Sequence, residues 1–184
     1  MKQAHHNPLR RRIMGSAAAA LCTLGALGPL QAQTPAWPTA KPIRLVVGFA
    51  AGGTTDVMAR IVAKSLSESL GQSVVVDNKP GASSNVAASE VIRAQPDGYT
   101  FMVATTSVET ANPFLFKQTI NPAKDLTPVA GVGRSQMYVV VGPQSPFKDA
   151  RELVSFAQKN PGKLSYSSAG PGTPPHLAGE LFKQ

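Results

Sequence analysis

The sequence predicts an α/β fold built on a mainly parallel sheet. Short apolar runs rich in β-branched residues alternate with longer stretches whose apolar residues recur every three or four positions. Strand followed by helix, repeated, argues for parallel pairing through right-handed crossovers. The runs end in turns rich in glycine and hydroxyl residues. In an open parallel sheet such turns gather beyond the carboxyl ends of the strands, where ligands sit.

The first residues read as an export signal, 1–32. Basic Arg10 to Arg12 precede an Ala/Leu/Gly-rich segment, 13–30, that ends at small Ala32, and cleavage is expected after Ala32. A membrane anchor is the rival reading, because the segment approaches the length that spans a bilayer. Its alanine and glycine content, with Pro29 near the end, favours removal. Cys22 lies inside this segment behind Leu21, a poor lipobox residue, and the three arginines match a twin-arginine signal poorly. The mature chain then has no cysteine and needs no disulfide. The location expected is the periplasm.

Net charge over the 184 residues is +8, with 18 basic and 10 acidic side chains. Lys2 and the three arginines are the only charged residues before Lys41, so the mature chain carries a mild, dispersed positive charge. It has no basic run and few aromatics, which argues against nucleic acid as a partner. Nothing after Trp37 is long and apolar enough to span a membrane.

Residues 33–42, rich in Pro, Thr and Ala, read as a loose leader. The first strand is Ile43-Arg44-Leu45-Val46-Val47, followed by Gly48-Phe49-Ala50-Ala51-Gly52-Gly53-Thr54-Thr55-Asp56. A helix is expected over 57–70, with Met58, Ile61, Val62, Leu66 and Leu70 on its apolar face and Gly71 as its stop. Thr54 or Thr55 is expected to cap it. The free amides of its first turn, at the positive end of the dipole, make an anion site. The turn lacks the Lys-Ser/Thr of a P-loop and does not fit G-x-G-x-x-G, so a small carboxylate suits it better than a nucleotide. A strand over 73–77 runs into Gly81-Ala82-Ser83-Ser84-Asn85, which opens a helix over 86–94. Pro96-Asp97-Gly98 is a turn, 99–104 a third strand with Thr105-Thr106-Ser107 at its end, and 110–116 a short helix or loop.

From Asp125 the pattern changes. Two strands are expected, 126–132 and 137–141, of the kind that carry a chain between two lobes. Asp149 starts a helix over 150–159, stopped by Asn160-Pro161-Gly162. Residues 164–167 read as a strand running into Ser168-Ala169-Gly170-Pro171-Gly172-Thr173, which repeats the design of the first turn. Thr173 with Pro174 and Pro175 marks a helix start. That helix, from His176, is still running at Gln184, so a truncated chain is expected: a first lobe over 43–133 and the start of a second over 134–184.

Several pieces, taken together, resemble the tripartite tricarboxylate transporter substrate-binding family, the Bug-type receptors. They are Trp37-Pro38 through Pro42-Ile43, Phe49-Ala50-Ala51-Gly52-Gly53 with Asp56, Asn78-Lys79-Pro80-Gly81-Ala82, and Pro96-Asp97-Gly98-Tyr99-Thr100. Further along come Asn160-Pro161-Gly162-Lys163-Leu164, then Ser168-Ala169-Gly170 through Gly172-Thr173 to His176-Leu177-Ala178-Gly179-Glu180. The resemblance covers Trp37 to Gln184. It implies the two-lobed type 2 periplasmic binding protein fold closing on a small organic anion. It also implies a site of main-chain amides, hydroxyls and bridging waters, with no cofactor or metal. The implied ligand is a dicarboxylate, tricarboxylate, amino acid or aromatic acid, and the implied partners are membrane transporter subunits. A monomer is expected. Gly48 departs from the family pattern, where many relatives have Pro. So do Ser83-Ser84, where glycines are common, and Pro174-Pro175.

The candidate ligand residues are therefore Phe49 to Thr55, Gly81 to Asn85, Thr106, Ser107, Ser168, Ala169, Gly170, Gly172 and Thr173. Asp56 is read as favourable helix-dipole chemistry, and His176 as a capping or packing residue. With no cysteine, no second mature histidine and no acidic cluster beside it, His176 does not suggest a metal site. A sensory module coupled to a signalling partner is one alternative. A periplasmic hydrolase using Ser168 and His176 is the weaker one, since Ser167 and Ser168 lack the G-x-S-x-G context. Arg134 reads as a solvated residue near the lobe crossing.

Overall fold

The central strand β1, Ile43–Val47, lies between β2, Val74–Asn78, and β3, Thr100–Val103, in a parallel sheet of order β2-β1-β3. The computed structural model describes residues 36–117 and 120–184; the proposed export signal, Cys22 and the arginine triplet lie outside the described residues. Leu45 aligns with Val76 on one side and Phe101 on the other. Ile43, Leu45, Val46 and Val47 are all buried, as suits a strand flanked on both edges; Arg44 is the one polar residue of β1, half-buried and paired with Asp77 and Glu90. Each of the four aliphatic side chains contributes roughly 1.5–3 kcal/mol of burial.

Helix α1, Thr54–Leu70, links β1 to β2 and ends at Gly71 in the left-handed conformation, φ 61°. Its inner stripe differs from the expected one. Asp56, Ala59 and Ala63 are buried, whereas Ile61 is 64% exposed and Leu66 is also exposed. The two alanines let the helix approach the sheet closely, so the large aliphatic residues are not what seats it. Ser67 Oγ accepts a hydrogen bond from the Val74 amide at 3.0 Å, tying the helix to the start of β2.

A left-handed turn at Ala82–Ser84 leads into α2, Asn85–Arg93, which buries Ala87 and Ala88. The Pro96-Asp97-Gly98 turn forms as expected, with Asp97 Oδ1 accepting from the Tyr99 amide. The described part of the leader is not loose. Trp37 Nε1 donates to the Gly98 carbonyl at 3.0 Å, and Lys41 pairs with Asp97 at 2.7 Å. Beyond β3 come three single-turn helices, α3 at Ser107–Thr110, α4 at Asn112–Leu115 and α5 at Pro122–Asp125.

The strands expected over 126–132, 137–141 and 164–167 do not form among the described residues. These stretches carry no ladder, and Val140 is 82% exposed. The sequence pattern reports a chain suited to a pleated sheet. A strand also needs a partner backbone, and none of the described residues supplies one. The two later helices do form. Helix α6, Ala150–Lys159, is capped by Asp149, whose carboxylate accepts from the Glu152 amide at 2.9 Å; Glu152 in turn accepts from the Lys148 amide. Helix α7, Pro174–Phe182, starts two residues before His176, with Thr173 at its cap and proline in its first turn.

Candidate functional site

The turn after β1 is shaped by one buried carboxylate. Asp56, 2% exposed, accepts from the Gly52 amide at 2.8 Å, from Arg60 Nε at 2.9 Å and from Asn78 Nδ2 at 2.9 Å. The Arg60 hydrogen bond first, then the Gly52 and Asn78 donors, hold its carboxyl far below the ordinary carboxylate range. Asn78 Nδ2 also donates to the Phe49 carbonyl at 3.0 Å, so the end of β2 grips the turn at two points. The reach of Asp56 exceeds dipole chemistry: its carboxylate fixes the loop ahead of its own helix.

The cap differs from the expected one. Gly53 holds the extended cap position, φ −76° and ψ 167°, with Thr54 and Thr55 already inside the helix and no side-chain cap bond. Asp56 closes the preceding loop on the Gly52 amide, which lets the helix begin earlier than its hydrophobic pattern. One amide of this turn is therefore occupied internally. Those of Gly53, Thr54 and Thr55 meet no acceptor among the described residues. Ala50 to Thr54 are exposed, and Phe49 and Thr55 half-buried. The turn presents a fan of three amides at the positive end of a 17-residue helix.

In the turn after β2, Ala82, Ser83 and Ser84 all have positive φ, 43°, 51° and 74°. Neither serine nor Asn85 caps α2 through its side chain. Ser84 Oγ, buried, instead donates to the Gly48 carbonyl at 3.2 Å. The two residues are pressed together, and a Cβ at Gly48 would stand 2.2 Å from Ser84 Cβ. Asn85 is buried, and its Oδ1 accepts from Asn112 Nδ2 at 2.9 Å.

At the end of β3, Thr106 is exposed, whereas Ser107 is buried with its hydroxyl 2.9 Å from Thr105 Oγ1. In the turn ahead of α7, Thr173 is buried and its hydroxyl donates to the Gly170 carbonyl at 2.6 Å. Ser168 Oγ accepts from the Gly170 amide, and His176 Nδ1 accepts from the Gly172 amide at 3.3 Å. His176 therefore closes the turn, as a capping residue does, and no hydrogen bond joins it to Ser168 among the described residues. Ala169 is exposed.

Three of the four turns meet. Ser84 and Asn78 tie the β2 turn to the β1 turn. Ser83 Oγ donates to the Pro171 carbonyl, and a Cβ at Gly172 would stand 3.0 Å from Asn112 Oδ1, so the α7 turn rests on the β2 turn and α4. No hydrogen bond among the described residues joins Thr106 or Ser107 to the other three turns. Gly81, φ 138°, sits against Val86. The structure adds Asn78, which the sequence reading quotes in a motif without giving it a site role, and Asn112, which it does not single out; only their distant partners mark them. Two shallow surface depressions flank α6, around Phe147, Ser155 and Phe156, and hold none of the candidate residues. Among the described residues there is no group of three His, Cys, Asp or Glu side chains able to hold a metal, and no helix long and apolar enough to cross a membrane.

Comparison with known proteins agrees with the α/β fold and identifies the family. Residues 58–184 match the model of the tripartite tricarboxylate transporter family receptor, TctC. A UPF0065 protein in the gbd 5′ region of Cupriavidus necator is 41% identical over 164 residues, 89% of this chain and 50% of its own length. Protein BugT of Bordetella pertussis is 33% identical over 165 residues, with the same two coverages, 89% and 50%. Among solved structures, an R. palustris protein with adipate superposes with a TM-score of 0.70 at 37% identity, covering 80% of this chain and 50% of that one. The periplasmic binding protein BugD gives 0.63 at 33% identity, covering 77% and 48%. The chain spans about half the length of the curated relatives it matches. By its family match and its parallel α/β architecture, this chain belongs to the tripartite tricarboxylate transporter receptor family.

Proposed function

We propose that the protein is a periplasmic solute receptor that captures a small organic carboxylate between two lobes and delivers it to a tripartite tricarboxylate-type membrane transporter, without converting it. In this reading an export signal over 1–32 is removed, 43–133 is the first lobe and 134–184 begins the second. The jaws are the turns over 48–55 and 168–173, and bound anion bridging them stabilises the closed form. The observation that carries the reading is the fan of unpartnered amides at Gly53, Thr54 and Thr55, opening from the same loop system that meets the α7 turn. Helix amides complement a carboxylate without a charged clamp. Relatives solved with adipate and with malate support a carboxylate as the guest.

The test is calorimetric titration of the full-length protein with dicarboxylates, tricarboxylates, amino acids and aromatic acids, beside an assay for turnover. Binding without product is expected; product formation would replace the receptor reading with the hydrolase one. Gly53→Val is the site-directed arm. A Cβ at Gly53 has only the Ala50 carbonyl within 4 Å, at 3.6 Å, and the backbone there is extended, so the variant is expected to fold. Its branched side chain would stand over the amides and weaken binding at least tenfold. Unchanged affinity would remove this turn from the site.

A further inference from the structure

We infer that Asn112 selects ligands carrying a hydroxyl group in addition to the carboxylate; the inference rests on the receptor reading above. Asn112 opens α4 and is fully buried. Its Nδ2 donates to the Ser83 carbonyl at 2.7 Å and to Asn85 Oδ1 at 2.9 Å. A backbone carbonyl only accepts, so the Ser83 contact fixes which end of the carboxamide is nitrogen. The other end, Oδ1, is buried and has no hydrogen-bond partner among the described residues. Folded proteins leave few acceptors in that state, because the unmade bond is costly.

The position of this acceptor points to its donor. It faces Gly172, where a Cβ would come within 3.0 Å, and the adjacent Pro171 carbonyl receives the Ser83 hydroxyl. It therefore lies where two of the turns assigned to the ligand meet. Gly172, with φ of 79°, stands over it without a side chain. In the receptor reading this glycine turn belongs to the second lobe, so a ligand entering between the lobes reaches the acceptor as the turn lifts. A plain ionised carboxylate has no donor to offer. An ammonium group would bring a charge that wants a carboxylate beside it, and Asp56, Asp77 and Glu90 are already held by Arg60 or Arg44. A neutral hydroxyl meets both conditions.

The experiment is titration of the full-length protein with matched acids that differ by one hydroxyl: succinate and malate, glutarate and 2-hydroxyglutarate, tricarballylate and citrate. In every pair that binds, the hydroxylated acid is expected to be about tenfold tighter, the worth of one buried hydrogen bond that rescues an unsatisfied acceptor. Asn112→Ala is expected to bring that ratio close to one, whatever its effect on the affinity for the plain acid. Equal affinities within the pairs, a ratio that survives Asn112→Ala, or aspartate bound tighter than malate would each overturn the role of Asn112 and leave the receptor reading standing. Failure of every acid to bind would overturn both. If Asn112→Ala does not fold, the wild-type ratios decide alone.

Discussion

Gly48→Ala is expected to be among the most damaging single changes in this protein, and Ser84→Gly to rescue part of the loss. An added Cβ at residue 48 would lie 2.2 Å from Ser84 Cβ, 2.3 Å from its Oγ and 2.6 Å from its Cα, where carbon atoms rest comfortably at about 3.5–4.0 Å. Both residues are buried, at the junction of β1 and the left-handed turn, so neither side yields without moving backbone. Overpacking of this kind costs about 3 kcal/mol, the upper part of its usual range. For a chain of this size that is a fall of roughly 6–12 °C in Tm. Ser84→Gly alone exchanges two effects of about 1 kcal/mol each. It relieves a left-handed serine, φ 74°, and it loses the hydrogen bond to the Gly48 carbonyl. In the double variant the clashes with the Ser84 side chain vanish and the close approach to the backbone at 84 remains, so about half the loss should return. Urea and thermal unfolding of the four proteins measure the coupling. A Tm change under 2 °C for Gly48→Ala, or strictly additive effects, would refute the steric argument. The same geometry explains why serine is accommodated at 84: glycine at 48 leaves the room it needs.

The pH dependence of Asp56 has a definite sign. Its folded carboxyl is depressed below the ordinary 3.8, so its contribution is present above that value and lost as pH falls toward the folded one. Asp56→Asn should lower Tm at pH 7, and the gap from wild type should narrow below about pH 4; a gap that widens there would contradict the assignment. Val140→Lys, at a position 82% exposed and outside any ladder, should shift Tm by less than 2 °C; a large fall would show that 137–141 is paired after all. Carboxylate affinity should change less than threefold between 50 and 500 mM sodium chloride, since short-range amide dipoles are screened less than an exposed cation. A tenfold drop would point to a charged clamp instead.

What is legible in the sequence is local. The Gly71 stop, the Asp97 turn and the Asp149 cap depend on residues within a few positions of each other, and each forms as the residue types require. The parallel sheet follows from the alternation of short and long apolar runs. The departures share a nonlocal origin. Residues 126–132 and 137–141 have strand composition, but a ladder depends on a partner elsewhere. The buried face of α1 differs from the expected one because large aliphatic residues dominate a periodicity count, while close helix–sheet approach uses Ala59 and Ala63. The candidate site is half visible. The glycines and hydroxyls mark the turns, yet the residues that hold them, Asn78 reaching Phe49 and Asn112 reaching Ser83, act over 29 positions in each case.

The distribution of charge gives the site its chemical character. Arg60 is matched by Asp56 at 2.9 Å, and Arg44 bridges Asp77 and Glu90 at 2.6 Å each, with Lys79 at 3.7 Å from the same two carboxylates. Arg60, Arg44 and Lys79 are thus matched by carboxylates within the fold. In the proposed receptor, an anion arriving at the turn after β1 would meet peptide nitrogens, which recognise the two oxygens of a carboxylate and little of the chain behind it. Helix amides supply roughly half a unit of positive charge over a single turn, enough to favour a carboxylate but too local to distinguish one acid from another. Discrimination must then fall to side chains lying deeper than the amides, beyond the carboxylate. The buried Asn112 acceptor under the glycine turn is placed for that role, which separates capture of the charge from selection of the molecule that carries it.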